Sequence, residues 1–182
     1  KCLAHDMNPS HQNLLSAFLI STYVHMERLK DAQIVYKEKV GLFPSNPMHG
    51  YLVRNATSAF REYREDLYQL ALQDFLRDKD DFGYYTTMCN QGYALCRNGN
   101  YRGALLLLQK ALDGLECFPR SNLHIVYNDL GICNFYLGEY QNAYHYFLLA
   151  HRFARNSMPE IFSTINIACL EAVTGKTKQA AS

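Results

Sequence analysis

The chain has 182 residues, and its 18 Lys+Arg against 17 Asp+Glu give a formal net charge of +1. With 48% hydrophobic and 19% charged residues it has the composition of a folded protein and is too apolar for a disordered one. The near-neutral charge gives no electrostatic basis for binding nucleic acid or an anionic membrane. The most apolar stretch, around Leu14 to Val24, is shorter than the roughly 20 residues that a membrane span requires.

In chain order, apolar residues recur at helical spacing nearly everywhere, and no sustained alternation of the strand type appears. The clearest feature is an internal repeat in the second half of the chain. Gly, aromatic and Ala positions recur there at one constant interval, in the pairs Gly92/Gly131, Gly99/Gly138, Tyr101/Tyr140, Ala104/Ala143 and Ala111/Ala150. Such a register of small and aromatic residues predicts stacked helical repeats.

These residues resemble tetratricopeptide repeats, a family with a small residue in helix A, a Gly and then an aromatic across the turn, and two Ala in helix B. The first helix-B Ala then falls at Ala32, Ala71, Ala104, Ala143 and Ala180. The resemblance implies an all-α fold, a right-handed α-solenoid of antiparallel helix pairs forming a single domain over residues 1–182. The implied repeats are approximately 13–48, 52–83, 85–120, 124–158 and a truncated 161–182. Because the last repeat stops early and the chain starts at Lys1, we expect a fragment of a longer protein.

Two kinds of position show why the pattern folds this way. Ala104 and Ala143 lie where helices A and B would cross, and only a small side chain allows close approach there. Gly138, like Gly99, is expected to end a helix A in the left-handed conformation. In the first repeat Glu27 stands where the pattern has this Gly. The core stripe of helix B should include Leu105, Leu108, Leu112, Tyr144, Phe147 and Leu148.

The sequence contains no pattern that favours catalysis, a metal or a cofactor. The six Cys lack the spacing of zinc or redox motifs, so we expect buried free thiols such as Cys133 and Cys169 in a reducing cytoplasm. In the C-terminal half, His145 and His151 are six positions apart, so they would lie on different faces of a helix and could not bind one metal ion together. Gly175-Lys176-Thr177 lacks the earlier Gly of a phosphate-binding loop. We therefore predict no catalytic residues, no metal site and no cofactor.

The resemblance implies that helix A faces line a concave groove that holds an extended peptide or a helix. Asn suits this role because its amide both donates and accepts hydrogen bonds, and Arg can pair with a carboxylate through two parallel bonds. The candidate groove residues are Thr57, Tyr63, Arg64, Asn90, Tyr93, Arg97, Asn128, Ile132, Tyr136 and Asn166.

Two functions remain open at this point. The first is a non-catalytic scaffold that binds a protein or peptide partner. The second is a regulatory or sensory domain of a larger signalling protein or transcription regulator, which binds an effector or mediates self-association. We expect self-association through the C-terminal end, where Ile165, Ile167, Leu170 and Val173 would form an uncovered apolar seam. The neutral charge argues against nucleic acid as a partner.

Overall fold

The fold is all-α. The computed structural model describes residues 8–119, 122–154 and 158–175, and within these ranges it contains helices and connections but no strand. The helices are α1 (Pro9–His25), α2 (Leu29–Lys39), α3 (His49–Thr57), α4 (Glu65–Asp78), α5 (Asp81–Arg97), α6 (Tyr101–Leu115), α7 (Leu123–Tyr136), α8 (Tyr140–Phe153) and α9 (Met158–Val173). None of the helices in this part of the chain is long and apolar enough to cross a membrane. Lys176, Thr177 and Ala180, which the sequence analysis singled out, lie outside the described residues.

Asn side chains cap the starts of α1 and α6. Asn8 accepts a hydrogen bond from the backbone N–H of Ser10 at 2.9 Å, with Pro9 at the first helical position of α1. Asn100 accepts from the N–H of Gly103 at 3.0 Å at the start of α6. Such a cap satisfies one of the backbone donors that a helix start leaves without a partner.

Left-handed residues follow the ends of several helices. Gly99, Gly138 and Gly175 have φ between 73° and 80° after α5, α7 and α9, which confirms the predicted turn Gly. Glu27 and Lys79 take the same role after α1 and α4, each at φ 56°. Because a Cβ disfavours this conformation, these two residues are strained at turns that Gly would form freely.

The chain divides into two compact units, residues 1–88 and 89–182. In the first unit, α1 packs on α2 and α3, and α3 packs on α4. Its interior has two apolar clusters. One contains Ala17, Ile20, Ala32, Leu52, Ala56 and Ala59, and the other contains Val53, Leu67, Ala71 and Phe75.

A buried polar network joins three segments of the first unit. His49 is 2% exposed, and its Nδ1 lies 2.6 Å from Asp74 Oδ2 while its Nε2 lies 2.9 Å from the carbonyl oxygen of Val40. Arg77 donates to the other Asp74 oxygen at 2.8 Å. Both neighbours of the imidazole are acceptors, so the ring must carry two N–H donors to satisfy them. Burial alone would lower the pKa of His49, but the hydrogen bonds to Asp74 and Val40 outweigh it and raise that pKa.

In the second unit, α7 packs on α6 and α8, and α9 packs on α8 and α7. The predicted crossing residues Ala104 and Ala143 are both fully buried, as are Leu108 and, at 2% exposure, Phe147. There is also no space for a side chain at the helix A glycine of each crossing. A Cβ on Gly131 would lie 2.4 Å from the Phe147 ring, and one on Gly92 would lie 2.7 Å from the Leu108 side chain. The repeated small residues therefore set how closely the paired helices approach.

Three sequence-based expectations about the core of this unit are wrong. Tyr144 and Leu148, assigned to the core stripe of helix B, are 38% and 43% exposed. On α8 the buried positions are Ala143, Phe147 and Ala150, so the buried stripe is narrower than the apolar one. Cys169 is exposed on α9, because α9 buries Ser163 and Leu170 instead.

Candidate partner-binding face

Two predicted asparagines meet between neighbouring helices of the second unit. Asn166 on α9 donates through Nδ2 to Oδ1 of Asn128 on α7, at 2.8 Å. Both side chains are half-buried. Asn90 on α5 precedes Asn128 by the same interval that separates Asn128 from Asn166. Asn90 is exposed and is itself engaged in a polar interaction.

The predicted residues on α5 and at the end of α7 present rings and a cation. Tyr93 is 48% exposed, and the Arg97 guanidinium lies 5.9 Å from the centre of its ring. Tyr136 is 60% exposed and stacks on Tyr101, with ring centres 4.6 Å apart and planes 7° from parallel. Rings held in place by such contacts offer apolar area with a polar tip, at little further cost in conformational entropy.

Ile132 has a different role from its neighbours. It is half-buried and packs against the cluster of Ala143, Phe147 and Leu170. The main role of Ile132 is therefore to pack α7 against the core, and less of its side chain is open to a partner. We call the seven residues of the second unit the candidate face, and they are Asn90, Tyr93, Arg97, Asn128, Ile132, Tyr136 and Asn166.

The three predicted residues of the first unit do not share one open face. Thr57 is 6% exposed, donates to the Arg54 carbonyl at 2.7 Å and is hydrogen-bonded to Tyr68. Since α3 ends at Thr57, Tyr63 and Arg64 lie in the connection before α4 rather than on a helix A. Tyr63 stacks on Tyr68 with ring centres 5.7 Å apart.

Arg64 is already engaged. It donates to Asp66 at 2.8 Å, and its guanidinium lies 4.7 Å from the centre of the Phe60 ring. It lines an open cleft of about 670 Å³ together with Arg28, Lys30 and Arg61. The same cleft is lined by Glu27, Asp31 and Glu62, so it has no dominant charge for a single kind of ion.

The structure adds one buried acid that the sequence analysis missed. Asp129, next to Asn128 on α7, is 5% exposed, and burial raises its pKa to about 7, against a weak hydrogen bond from Asn128 at 3.5 Å. A carboxyl group in this state changes charge near neutral pH. The register offered a hint, because Asp129 occupies the position of Asn90 in the next repeat, but a polar residue beside a predicted surface residue does not reveal its own burial.

The first unit contains a cation that the sequence analysis also missed. Arg54 on α3 is half-buried, with its guanidinium 4.9 Å from the centre of the Tyr51 ring and 3.3 Å from Thr86 Oγ1. Burial lowers its pKa, and Asp80 acts in the opposite direction. Asp80 in turn accepts from the Tyr51 hydroxyl at 2.6 Å. Arg54 is thus a structural cation between α3 and the start of α5.

One face of α9 exposes apolar side chains. Ile161, Phe162, Ile165 and Val173 are each more than half exposed. Of the four residues expected in the C-terminal seam, Ile165 and Val173 lie on this face, whereas Leu170 is buried and Ile167 is half-buried against the cluster that includes Phe147. The seam therefore exists in part and faces away from the core of the second unit.

The comparisons with known proteins give the fold. No family model matches the chain, and no curated protein sequence matches it significantly. Among solved structures, one similar chain is a Signal Transduction ATPase with Numerous Domains from Pyrococcus horikoshii that has a tetratricopeptide repeat sensor. It is 16% identical with a TM-score of 0.77, and the match covers 97% of this chain and 30% of that one. This chain therefore spans less than a third of that protein.

Two structures of MamA are also similar. A mutant of MamA is 17% identical with a TM-score of 0.60, covering 93% of this chain and 86% of that one. MamA AMB-1 is 16% identical with a TM-score of 0.59, covering 92% of this chain and 85% of that one. Together with the helices described above, these similarities confirm the tetratricopeptide-repeat fold that the spacing of Gly and Ala predicted. The protein is an all-α helical-repeat protein.

Apart from Ile132, the side chains of the candidate face are polar, aromatic and cationic. Within the described ranges, no group of three or more His, Cys, Asp or Glu side chains could hold a metal ion. The candidate face instead offers amides, phenolic rings and one guanidinium, which are the groups that recognise a peptide backbone and its acidic or aromatic side chains.

Proposed function

We propose that this chain is a non-catalytic scaffold of the cytoplasm, which binds a peptide or helix of a partner protein in the groove that the repeats imply. The observation that supports this most is the Asn128–Asn166 pair, whose amides meet at 2.8 Å and whose side chains are only half-buried. A peptide backbone needs both donors and acceptors along one line, and paired amides on adjacent helices supply both.

The other candidate-face residues add strength and selectivity. Tyr93 and Tyr136 provide exposed rings of the kind that is enriched in interfaces. Arg97 is exposed and lies over Tyr93 with its guanidinium available for a carboxylate. The expected partner segment therefore carries an acidic residue or a terminal carboxylate near an apolar one.

The test is a pull-down from a lysate of the source cell with wild type, Arg97→Glu and Asn128→Ala. Lys110→Glu is the matched control, because it makes the same charge reversal on an exposed position of α6 outside the candidate face. We expect Arg97→Glu and Asn128→Ala to lose the same specific proteins while Lys110→Glu retains them. Unchanged captured sets, with helicity intact by circular dichroism, would reject the candidate face as the binding site.

A second candidate function is a regulatory or sensory domain. Two observations favour it: the similar Pyrococcus horikoshii protein has a tetratricopeptide repeat sensor within a much longer chain, and α9 exposes Ile161, Phe162 and Ile165. In this proposal the repeats bind an effector, or the exposed face of α9 mediates self-association.

Sedimentation velocity over a range of concentrations tests the self-association part of this second proposal. Self-association through α9 predicts a concentration-dependent sedimentation coefficient in wild type that Ile165→Asp abolishes. Leu106→Asp on α6 is the matched control, since Leu106 is also an exposed aliphatic residue, at 70%. A monomer at all concentrations would contradict self-association and leave the scaffold proposal standing.

A further inference from the structure

Two free cysteines meet inside the second unit. Cys96 lies in the last turn of α5 and Cys133 lies in the third turn of α7, and their thiols are hydrogen-bonded to one another. Cys96 is 8% exposed and Cys133 is fully buried. This hydrogen bond places the two sulfur atoms next to one another, as the formation of a disulfide requires.

We propose that Cys96 and Cys133 are a redox-active dithiol, which a hydroperoxide converts to a disulfide that links α5 to α7. The two cysteines have distinct roles in this reaction. Cys96 is 8% exposed and meets the oxidant first, whereas Cys133 is fully buried and is hydrogen-bonded to Cys96.

The electrostatics support this order. A hydrogen bond from the Cys133 thiol lowers the pKa of Cys96, while the same bond, followed by burial, raises the pKa of Cys133. The thiolate is the nucleophilic form, so the first proton leaves the cysteine that the oxidant can reach. The neighbouring Asp129 carboxylate acts to raise the pKa of both cysteines.

The chemistry balances in two steps. The Cys96 thiolate attacks the terminal oxygen of the hydroperoxide, its O–O bond breaks, and the alkoxide takes a proton to leave as an alcohol, with Cys96 as a sulfenic acid. Cys133 sulfur then attacks Cys96 sulfur, the S–O bond breaks, and hydroxide leaves with the Cys133 proton as water. Two thiols are oxidised and one peroxide is reduced. Dithiothreitol reverses the product to the two thiols.

Cys89 is a built-in comparison. It lies on α5 like Cys96, but seven positions earlier, which is about 10 Å along a helix and too far for a Cys89–Cys96 disulfide. Burial and the Asp129 charge raise its pKa to about 12, so it stays a thiol at neutral pH. An oxidation that does not discriminate between thiols would also modify Cys89. The proposed reaction leaves Cys89 as a free thiol.

The experiment oxidises the full chain with hydrogen peroxide in a background of Cys2→Ser, Cys117→Ser and Cys169→Ser, which leaves the three cysteines named above. The expected product has lost two hydrogen atoms by intact mass and yields one non-reduced peptide that joins Cys96 to Cys133. Its thermal midpoint rises and returns after dithiothreitol. Cys89→Ser retains this product, and Cys133→Ser instead accumulates a sulfenic acid on Cys96 that dimedone traps.

Free thiols at both Cys96 and Cys133 after oxidation, with native circular dichroism, would overturn the proposal, and so would a cross-link to Cys89. Because serine variants can disturb folding, the wild-type chain is mapped in parallel under the same conditions. A Cys96–Cys133 peptide from the folded wild type supports the proposal without any substitution, and its absence there rejects it.

Discussion

The contact between Gly131 and Phe147 allows a sharp test of the helix packing. A Cβ on Gly131 would lie 2.4 Å from Phe147 Cε1 and 2.5 Å from Cδ1, well inside ordinary van der Waals contact. The ring is 2% exposed and lies in a cluster with Ala143 and Leu170, so it has little room to move. We therefore expect the overpacking cost of Gly131→Ala to fall near the top of the usual range, about 3 kcal/mol.

Helix propensity acts in the opposite direction. Gly131 is inside α7, where Ala is favoured over Gly by about 1 kcal/mol. The net expectation for Gly131→Ala is a loss of about 2 kcal/mol in the free energy of unfolding, or about 4–8 °C in the thermal midpoint for a chain of this size. Urea denaturation and thermal melting followed by circular dichroism measure both quantities.

Phe147→Leu supplies the control. With the ring removed, the added methyl of Gly131→Ala has space, so in that background the substitution should be neutral or stabilising by up to about 1 kcal/mol. A change of sign between the two backgrounds is the specific expectation. If Gly131→Ala is equally destabilising with Leu at position 147, or stabilises the wild type, then the close approach of α7 and α8 does not control stability.

Three further predictions concern positions where the structure shows strain, tight packing or a titrating group. Glu27→Gly should stabilise by about 0.5–1 kcal/mol, because Glu27 holds φ 56° and Gly takes that conformation freely; a lower urea midpoint would contradict this. Ala143→Leu should destabilise by about 1–3 kcal/mol, since Ala143 is fully buried at a helix crossing; an unchanged melting temperature would refute that packing. The raised pKa of His49 stabilises the fold fully below the unfolded value of about 6.5, and this stabilisation is lost as pH rises through the folded pKa. The unfolding free energy of wild type relative to His49→Gln should therefore fall with rising pH above about 6.5, and a flat difference would exclude a protonated His49. His124, whose pKa burial lowers, acts with the opposite sign but contributes equally to both proteins.

The repeat register could be predicted because it follows from steric rules that act locally. Gly99 and Gly138 mark left-handed helix ends, and Ala104 and Ala143 mark close crossings, so identical residues at a constant interval predict identical geometry. The same rule fails in the first half of the chain, where the left-handed positions hold Glu27 and Lys79. A charged side chain does not favour that conformation, so its presence gives no signal of a left-handed turn.

The candidate face was less predictable for a related reason. On α7 and α9, Asn128 and Asn166 are hydrogen-bonded to one another, and their role in binding stays a prediction. In the first unit α3 ends at Thr57, which leaves Tyr63 and Arg64 in the following connection. The point where a short helix ends depends on contacts distant in sequence, such as Gln33 donating to the carbonyl of Ala59 at 2.8 Å. A register extended by spacing alone cannot contain that information.

The packing of α8 and the proposed binding face share two helices. Asn128 and Asn166 lie on α7 and α9, and both of these helices pack on α8. The crossing of Gly131 with Phe147 sets the approach of α7 to α8, while Leu170 sets that of α9 in the same cluster. A change at Gly131 therefore moves Asn128 relative to Asn166 as well as lowering stability. Asn128→Ala removes the amide and leaves the crossing intact, so loss of partner capture at unchanged stability is the result that assigns binding to the amides themselves.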